Sequence, residues 1–169
     1  GAGDFIVKVA GSLAGRYQGG AGHVAVVGSG LMGSVSGSAV ATTVSTGVIT
    51  IPMMIRSGFS PRFAAGVEAA ASTGGQLMPP VMGAGAFVMS SYTQIPYLTI
   101  ISVSVLPALL YFLTVAFFVR IEARRENLDV GLDDGEATTL ETLKDGWHFI
   151  IPLGVLIASL IVGYTPVRS

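Results

Sequence analysis

From His23 to Ile55 no residue carries a full charge at neutral pH, yet eight of the seventeen residues from Ser34 to Thr50 are Ser or Thr. Such a run is too apolar for a solvated loop and too rich in small hydroxyl residues for an ordinary core helix. At membrane depth, small and hydroxyl side chains mark places where helix backbones approach closely. Irregular backbone is tolerated there only where it is buried in protein or lines a polar cavity. The run is centred on Gly33-Ser34-Val35-Ser36-Gly37-Ser38-Ala39, and a second motif follows at Ser72-Thr73-Gly74-Gly75-Gln76-Leu77-Met78-Pro79-Pro80. Together they read as an ion- and substrate-handling centre inside a membrane.

Composition points the same way. Of 169 residues, 51% are hydrophobic and 11% charged, whereas soluble domains carry roughly 25% charged residues. Residues 69–119 and 149–167 contain no charge, while residues 120–147 hold twelve of the nineteen Lys, Arg, Asp and Glu. Long charge-free runs divided by a compact charged connector indicate a polytopic membrane protein. A net charge of −1 gives no basic face for nucleic acid. The absence of Cys excludes a disulfide framework and a thiolate metal site. Without a leading Met or a signal-peptide pattern, the chain is expected to be an internal piece of a longer polypeptide.

In order, residues 4–14 form a short apolar segment, an interfacial helix or the tail of an earlier span, broken by Gly15, Gly19 and Gly20. Val24 to Val35 would make a helix of about 18 Å at 1.5 Å per residue, short of the roughly 30 Å hydrocarbon core. Gly37 interrupts it, and a second limb runs from Ala39 to Ile55. The pattern predicts a re-entrant helical hairpin over 21–56; its rival is one continuous span from Val26 to about Thr46. Ser60-Pro61 is a helix start. The helix it opens meets Gly74-Gly75 and Pro79-Pro80 and resumes from Val81 to Ser90, a broken span over 61–91. Residues 96–119 predict a spanning helix, kinked at Pro107 and ended by Arg120, Arg124 and Arg125. An acidic connector follows over 120–147, with a short helix near Leu140 to Trp147. Phe149 to Tyr164 predicts a further span, anchored by Trp147 and Tyr164.

Orientation tests this layout independently. A hairpin returns to the side it entered from, which gathers Arg16, Arg56, Arg62, Arg120, Arg124, Arg125 and Lys144 on one face and leaves Arg168 opposite. That bias makes the shared face cytoplasmic. A continuous span would divide the basic residues between the two sides.

Several signals have blander readings. Gly28-Ser29-Gly30-Leu31-Met32-Gly33 matches a dinucleotide fingerprint, but no acid stands between Asp4 and Glu68 to hold a ribose, so close helix packing accounts for the glycines. Any one Ser or Thr hydroxyl is most simply bonded back to its own helix; Ser36, Gly37 and Ser38 as a group favour ligand contact. Glu68 is the single acid in the uncharged middle. Two readings stand: a functional intramembrane acid, or an interfacial partner of Arg62. His23 and His148 flank apolar runs with no nucleophile or carboxylate nearby, and nothing supports a catalytic role.

The run from Gly28 through Ser90, with SGSAVATTVSTG, TIPMM and VEAAASTGGQLMPPVMGAGAF, and then PALLYF, resembles the large membrane subunit (DctM-like) of TRAP transporters. It is most similar to the fused-permease branch associated with TAXI-type binding proteins. The resemblance implies an all-α, multi-pass elevator transporter of the bacterial or archaeal inner membrane, built from inverted halves. It implies import of organic acids by cation symport, usually with Na⁺, fed by a periplasmic TAXI-type substrate-binding protein. It implies no enzyme activity, no cofactor and no metal beyond the transported cation. The serine-rich tip would be the first hairpin, facing the Gly-Gly-Gln-x-Met-Pro-Pro break across the ion and substrate site. Those roles fall to Ser36, Gly37, Ser38, Ala39, Gly74, Gly75, Pro79 and Pro80, with Thr42, Thr73 and Gln76 completing the candidate set. Thr42 stands where Asn is expected and His23 where Lys is usual; the first leaves Na⁺ against H⁺ open. On this reading residues 1–119 are the first-repeat transport core, 120–147 the cytoplasmic connector and 148–169 the first span of the next half. The remainder of the same permease chain and the bilayer are its other partners. The rival from another class is a non-transporting membrane scaffold whose Gly and Ser motifs only pack helices. An intramembrane hydrolase lacks a paired nucleophile and base.

Overall fold

The computed structural model describes residues 2–14 and 18–128, with residues 151, 154, 155 and 158. Arg16, the connector beyond Leu128, the Leu140–Trp147 helix, His148, the Phe149–Tyr164 span, Lys144 and Arg168 lie outside the described segments. Among the described residues every regular element is a helix: α1 Ala2–Ala14, α2 Gly20–Ser36, α3 Ala39–Arg56, α4 Pro61–Gly75, α5 Ala84–Thr93 and α6 Tyr97–Arg125.

The chain turns back at Gly37. That residue is left-handed (φ 63°), its N–H donates to Gly33 O at 2.8 Å, and Ser38 caps the next helix by accepting from Ala41 N. A left-handed residue ends a helix without steric cost only when it lacks a Cβ. A Cβ on Gly37 would also strike Met82 O. Contacts between the limbs climb one helix as they descend the other. Ser36 meets Thr42 near the tip, Ser29 meets Thr46 midway, and Val24 packs with Ile49 and Met53 near the base. The limbs are therefore antiparallel, and the continuous span from Val26 to Thr46 is overturned.

The first limb is longer than the sequence pattern predicts. It begins at Gly20 and runs 17 residues, about 26 Å at 1.5 Å per residue. Gly20 is buried in the helix, and at Gly22 the closeness of α6 requires glycine: a Cβ there would sit 2.5 Å from Val119 Cγ1. Helix α2 is accordingly the central element, buried along most of its length between α1, α3, α4 and α6.

Ser60 caps α4 as expected, with Pro61 in its first turn. The break after Gly75 is longer than predicted. Residues 76–83 are non-helical, and α5 starts at Ala84 rather than Val81. Backbone conformation explains the delay: Met82 is left-handed and Gly83 extended (φ −83°, ψ 166°), so neither joins the helix, while Val81 N donates to Ser34 O at 3.1 Å and Gly83 N to Gln76 O at 2.9 Å. The Pro79–Pro80 bond is cis and Met82 is left-handed (φ 59°). Helix α6 passes through Pro107 and continues two turns beyond residue 119.

Two ends of the bundle are distinct. At one, Phe59 packs with Ala21, Ala25, Val119 and Ala123, Leu128 lies against Gly58, and Gln18 Nε2 donates to Leu128 O. The helix ends carrying Arg56, Arg62, Arg120, Arg124 and Arg125 meet here. At the other, Tyr97 packs with Met82 and Ala86, stacks on Phe87, and donates from its hydroxyl to Val81 O. The register of α2 against α6 follows from the positions of Gly22 at Val119 and Gly30 at Phe112. Continued at that register, Gly37 is roughly level with Val105, so the tip stops about 12 Å short of the start of α6 at Tyr97.

Candidate functional site

The tip and the break are in direct contact. Gly33 of α2 and Gly75 of α4 cross backbone to backbone: a Cβ on Gly33 would lie 2.5 Å from Gly75 Cα, and one on Gly75 2.6 Å from Gly33 Cα. Only glycines permit that approach, the membrane logic of small residues at helix crossings. One turn on, Val81 N is tied to Ser34 O. Gly37 lies against Met82 O and the Gly83 Cα. The segment carrying Gln76, Pro79 and Pro80 thus bridges two fixed points on the hairpin.

At the tip itself, Ser36 Oγ lies 2.8 Å from Thr42 Oγ1 and accepts from Ser38 N at 3.3 Å. Ser38 Oγ accepts from Ala41 N, and Thr42 N donates to Ser38 O. Ser36, Gly37, Ser38, Ala39 and Thr42 are therefore brought together, with α3 opening on them by its N-terminus, an end that favours anions. Ser36 is exposed and Thr42 fully buried. Gly75 reaches the hairpin at Gly33 and Ser29, whereas Gly74 faces α6 instead. Gly74 is overlaid by the Tyr111 ring, whose hydroxyl donates to Ala70 O. Thr73 behaves otherwise: it is exposed, and its hydroxyl donates back to Ala69 O in its own helix. Thr43, Ser45 and Ser34 likewise bond back to their own helices.

Glu68 lies elsewhere than beside Arg62. It is fully buried, in the middle of α2, α3 and α4, while Arg62 is exposed at the head of α4. Its Oε1 accepts from Ser29 Oγ at 2.7 Å, Thr46 Oγ1 at 2.6 Å and Ser72 Oγ at 3.0 Å, and its Oε2 from Thr50 Oγ1 at 2.5 Å. Gly47 leaves the room, since a Cβ there would be 3.2 Å from Glu68 Cγ. The interfacial pairing is thereby corrected: the acid reads four hydroxyls on three helices. Sequence reasoning missed this cage. The signal was present as Thr42, Thr46 and Thr50, one face of α3 at four-residue spacing, and as Glu68 and Ser72 one turn apart.

Two helices, Ala39–Arg56 and Tyr97–Arg125, are long and apolar enough to cross a membrane. The outer face of α6 exposes Val103, Leu106, Leu110, Leu113 and Phe117, a row that water disfavours and lipid does not. Fold, spans and close glycine crossings define a helical membrane protein. Comparison with known proteins narrows the class: residues 1–169 match the family described as the tripartite ATP-independent periplasmic transporter, DctM component. The chain belongs to that family, which is one of transporters and not of enzymes. It is 32% identical over 165 residues to the C4-dicarboxylate TRAP transporter large permease protein DctM of Vibrio cholerae, covering 97% of this chain and 36% of that protein. The Pseudomonas aeruginosa protein of the same name is 32% identical over 168 residues, covering 97% and 38%. The 2,3-diketo-L-gulonate TRAP transporter large permease protein YiaN of Escherichia coli is 28% identical over 158 residues, covering 93% and 35%. The chain thus spans little more than a third of the length of these relatives.

Proposed function

We propose that this chain is the first-repeat transport core of a TRAP large permease that imports organic acids by cation symport. In this reading the hairpin is re-entrant, its tip lying within the bilayer, and the unit moves across the membrane as an elevator. The observation that carries it is the junction of tip and break. Hydroxyl and carbonyl oxygens of Ser36, Ser38 and Thr42, the N-terminus of α3 and the Gln76–Gly83 segment converge at one place. Oxygens of this kind suit a hard cation such as Na⁺, and a helix N-terminus suits a carboxylate. Support for the re-entrant geometry comes from the register of the tip, about 12 Å short of the start of α6. The gathering of Arg56, Arg62, Arg120, Arg124 and Arg125 at the opposite end supports a cytoplasmic base. The substrates are small dicarboxylates or related acids, by analogy with the relatives, delivered by a periplasmic binding protein of the TAXI type, at the inner membrane.

Uptake of C4-dicarboxylates by the full-length permease with its partners tests this. Ser36→Ala and Ser38→Ala are expected to abolish uptake with normal membrane insertion. Unchanged uptake in both returns the motif to helix packing and favours the scaffold reading. Replacing Na⁺ by a larger cation in the assay distinguishes Na⁺ from H⁺ as the ion held at the tip.

A further inference from the structure

We propose that Glu68 is a reversible proton-binding residue, and that its loading and unloading set how firmly the hairpin is clamped to α4. A buried acid with no counter-charge is held at a cost unless the surrounding groups satisfy both of its protonation states. Here they do. When Glu68 is ionised, Ser29, Thr46, Thr50 and Ser72 each donate to it, and the hydroxyls of α2 and α3 are drawn onto α4. Two of those hydroxyls have a second acceptor in reach: Thr46 Oγ1 is 2.8 Å from Thr42 O, and Thr50 Oγ1 is 3.0 Å from Thr46 O. On protonation Oε2–H donates to Thr50 Oγ1, and Thr50 turns its own hydrogen to Thr46 O. Thr46 is likewise free to return to Thr42 O. The proton comes from hydronium in the bathing water: one of its O–H bonds breaks as Oε2–H forms, water is left, no other covalent bond changes, and no polar atom is orphaned in either state. What changes is the number of hydrogen bonds crossing from the hairpin to α4.

The cage suits a proton and excludes a dehydrated metal ion. Its oxygens stand at hydrogen-bond separation from the carboxylate, and Ser29 and Thr46 are 2.9 Å from each other. An ion with oxygens at about 2.3–2.6 Å on several sides would need those oxygens spread apart. None of the four partners is titratable. On the surrounding helices the ionisable residues are Asp4 and Lys8 of α1, His23 of α2, Arg56 of α3, Arg62 of α4, and Tyr97, Tyr111, Arg120, Glu122, Arg124 and Arg125 of α6. Lys8, Arg56, Arg62 and Arg120 are exposed, His23 Nδ1 lies 3.1 Å from Gly19 O, and Tyr111 donates to Ala70 O. Because Glu68 is sealed, exchange with water requires the hairpin to part from α4, so proton traffic and helix motion are linked.

The test has two arms, the second of which rests on the transport reading. In the first, the full-length permease is titrated by infrared difference spectroscopy, which sees the carbonyl band of a protonated carboxylic acid. One band is expected to grow as pH falls, to be missing in Glu68→Gln, and to keep its amplitude with a displaced midpoint in Thr50→Val. A band unaltered by Glu68→Gln, no titration at any pH at which the protein stays folded, or a midpoint unmoved in Thr50→Val overturns the proposal. In the second, proteoliposomes with the binding protein take up succinate under an imposed inward pH gradient. Several-fold stimulation is expected for the unaltered protein and none for Glu68→Gln; equal stimulation of both overturns the clamp. If the unaltered protein moves no dicarboxylate while the Glu68 band titrates, the transport reading fails and the proton site stands.

Discussion

Gly33 and Gly75 illustrate how one missing methyl group shapes this protein. Their backbones cross at a separation that a Cβ would fill, so Gly33→Ala or Gly75→Ala forces α2 and α4 apart. Overpacking of a close interface costs about 1–3 kcal/mol, and each variant is expected to melt earlier in detergent and to lose uptake. Gly66 offers the control. It is exposed on α4 with nothing within 4 Å of an added Cβ, and Gly66→Ala is expected to stabilise the permease by up to about 1 kcal/mol through helix propensity. Equal melting temperatures for all three variants would contradict the assigned crossing. The sequence marked Gly33 only as a member of a glycine-rich motif and Gly75 as a candidate site residue, with no contact between them. Which glycine meets which is a matter of helix register, and no local pattern encodes it.

At the level of the helix, the two serine caps separate structure from ligand contact. Ser60 and Ser38 cap α4 and α3 through the same geometry, each accepting at 3.3 Å from the N–H three residues on. Ser60→Ala and Ser38→Ala should each cost about 1 kcal/mol of stability. Ser60 lies at the arginine-bearing end, away from the tip, so its loss is expected to leave uptake intact. Ser38→Asn preserves a capping oxygen and is expected to restore stability without restoring uptake; recovery of both would reduce Ser38 to a cap. The helices themselves were largely legible. Ser60-Pro61 announced α4, Gly37 divided α2 from α3, and Gly74-Gly75 with Pro79-Pro80 marked the break. Their limits were less so. Gly20 read as a breaker yet is helical, and packing of the adjoining Gly22 against Val119 and Phe59 outweighs glycine's modest helix penalty. Val81 read as helical yet gives its N–H to Ser34 O. In both places a tertiary contact overrode the local preference.

For the molecule as a whole, the decisive test is topological. These 169 residues contain no Cys, and in a full-length permease cleared of any other cysteine, single cysteines at Gln18 and Arg56 report on sidedness. Both are expected to react with an impermeant thiol reagent from the same side, and Thr93→Cys from the other. Reaction of the first two from opposite sides would remove the re-entrant hairpin and the proposed site with it. The fold class follows from charge-free runs and small-residue motifs, because the bilayer admits few ways to satisfy a backbone. From the sequence alone come the membrane character of the chain, the turn at Gly37 and the interruption between Gly75 and Pro80, each dictated by local chemistry such as a missing Cβ or a missing N–H. Only the tertiary structure decided that the turn and the interruption touch, and that Glu68 sits among Ser29, Thr46, Thr50 and Ser72. Those residues are 18 to 39 positions from the acid on two other helices, apart from Ser72 one turn away. Only the packing of α2 and α3 against α4 brings their hydroxyls within reach of one carboxylate.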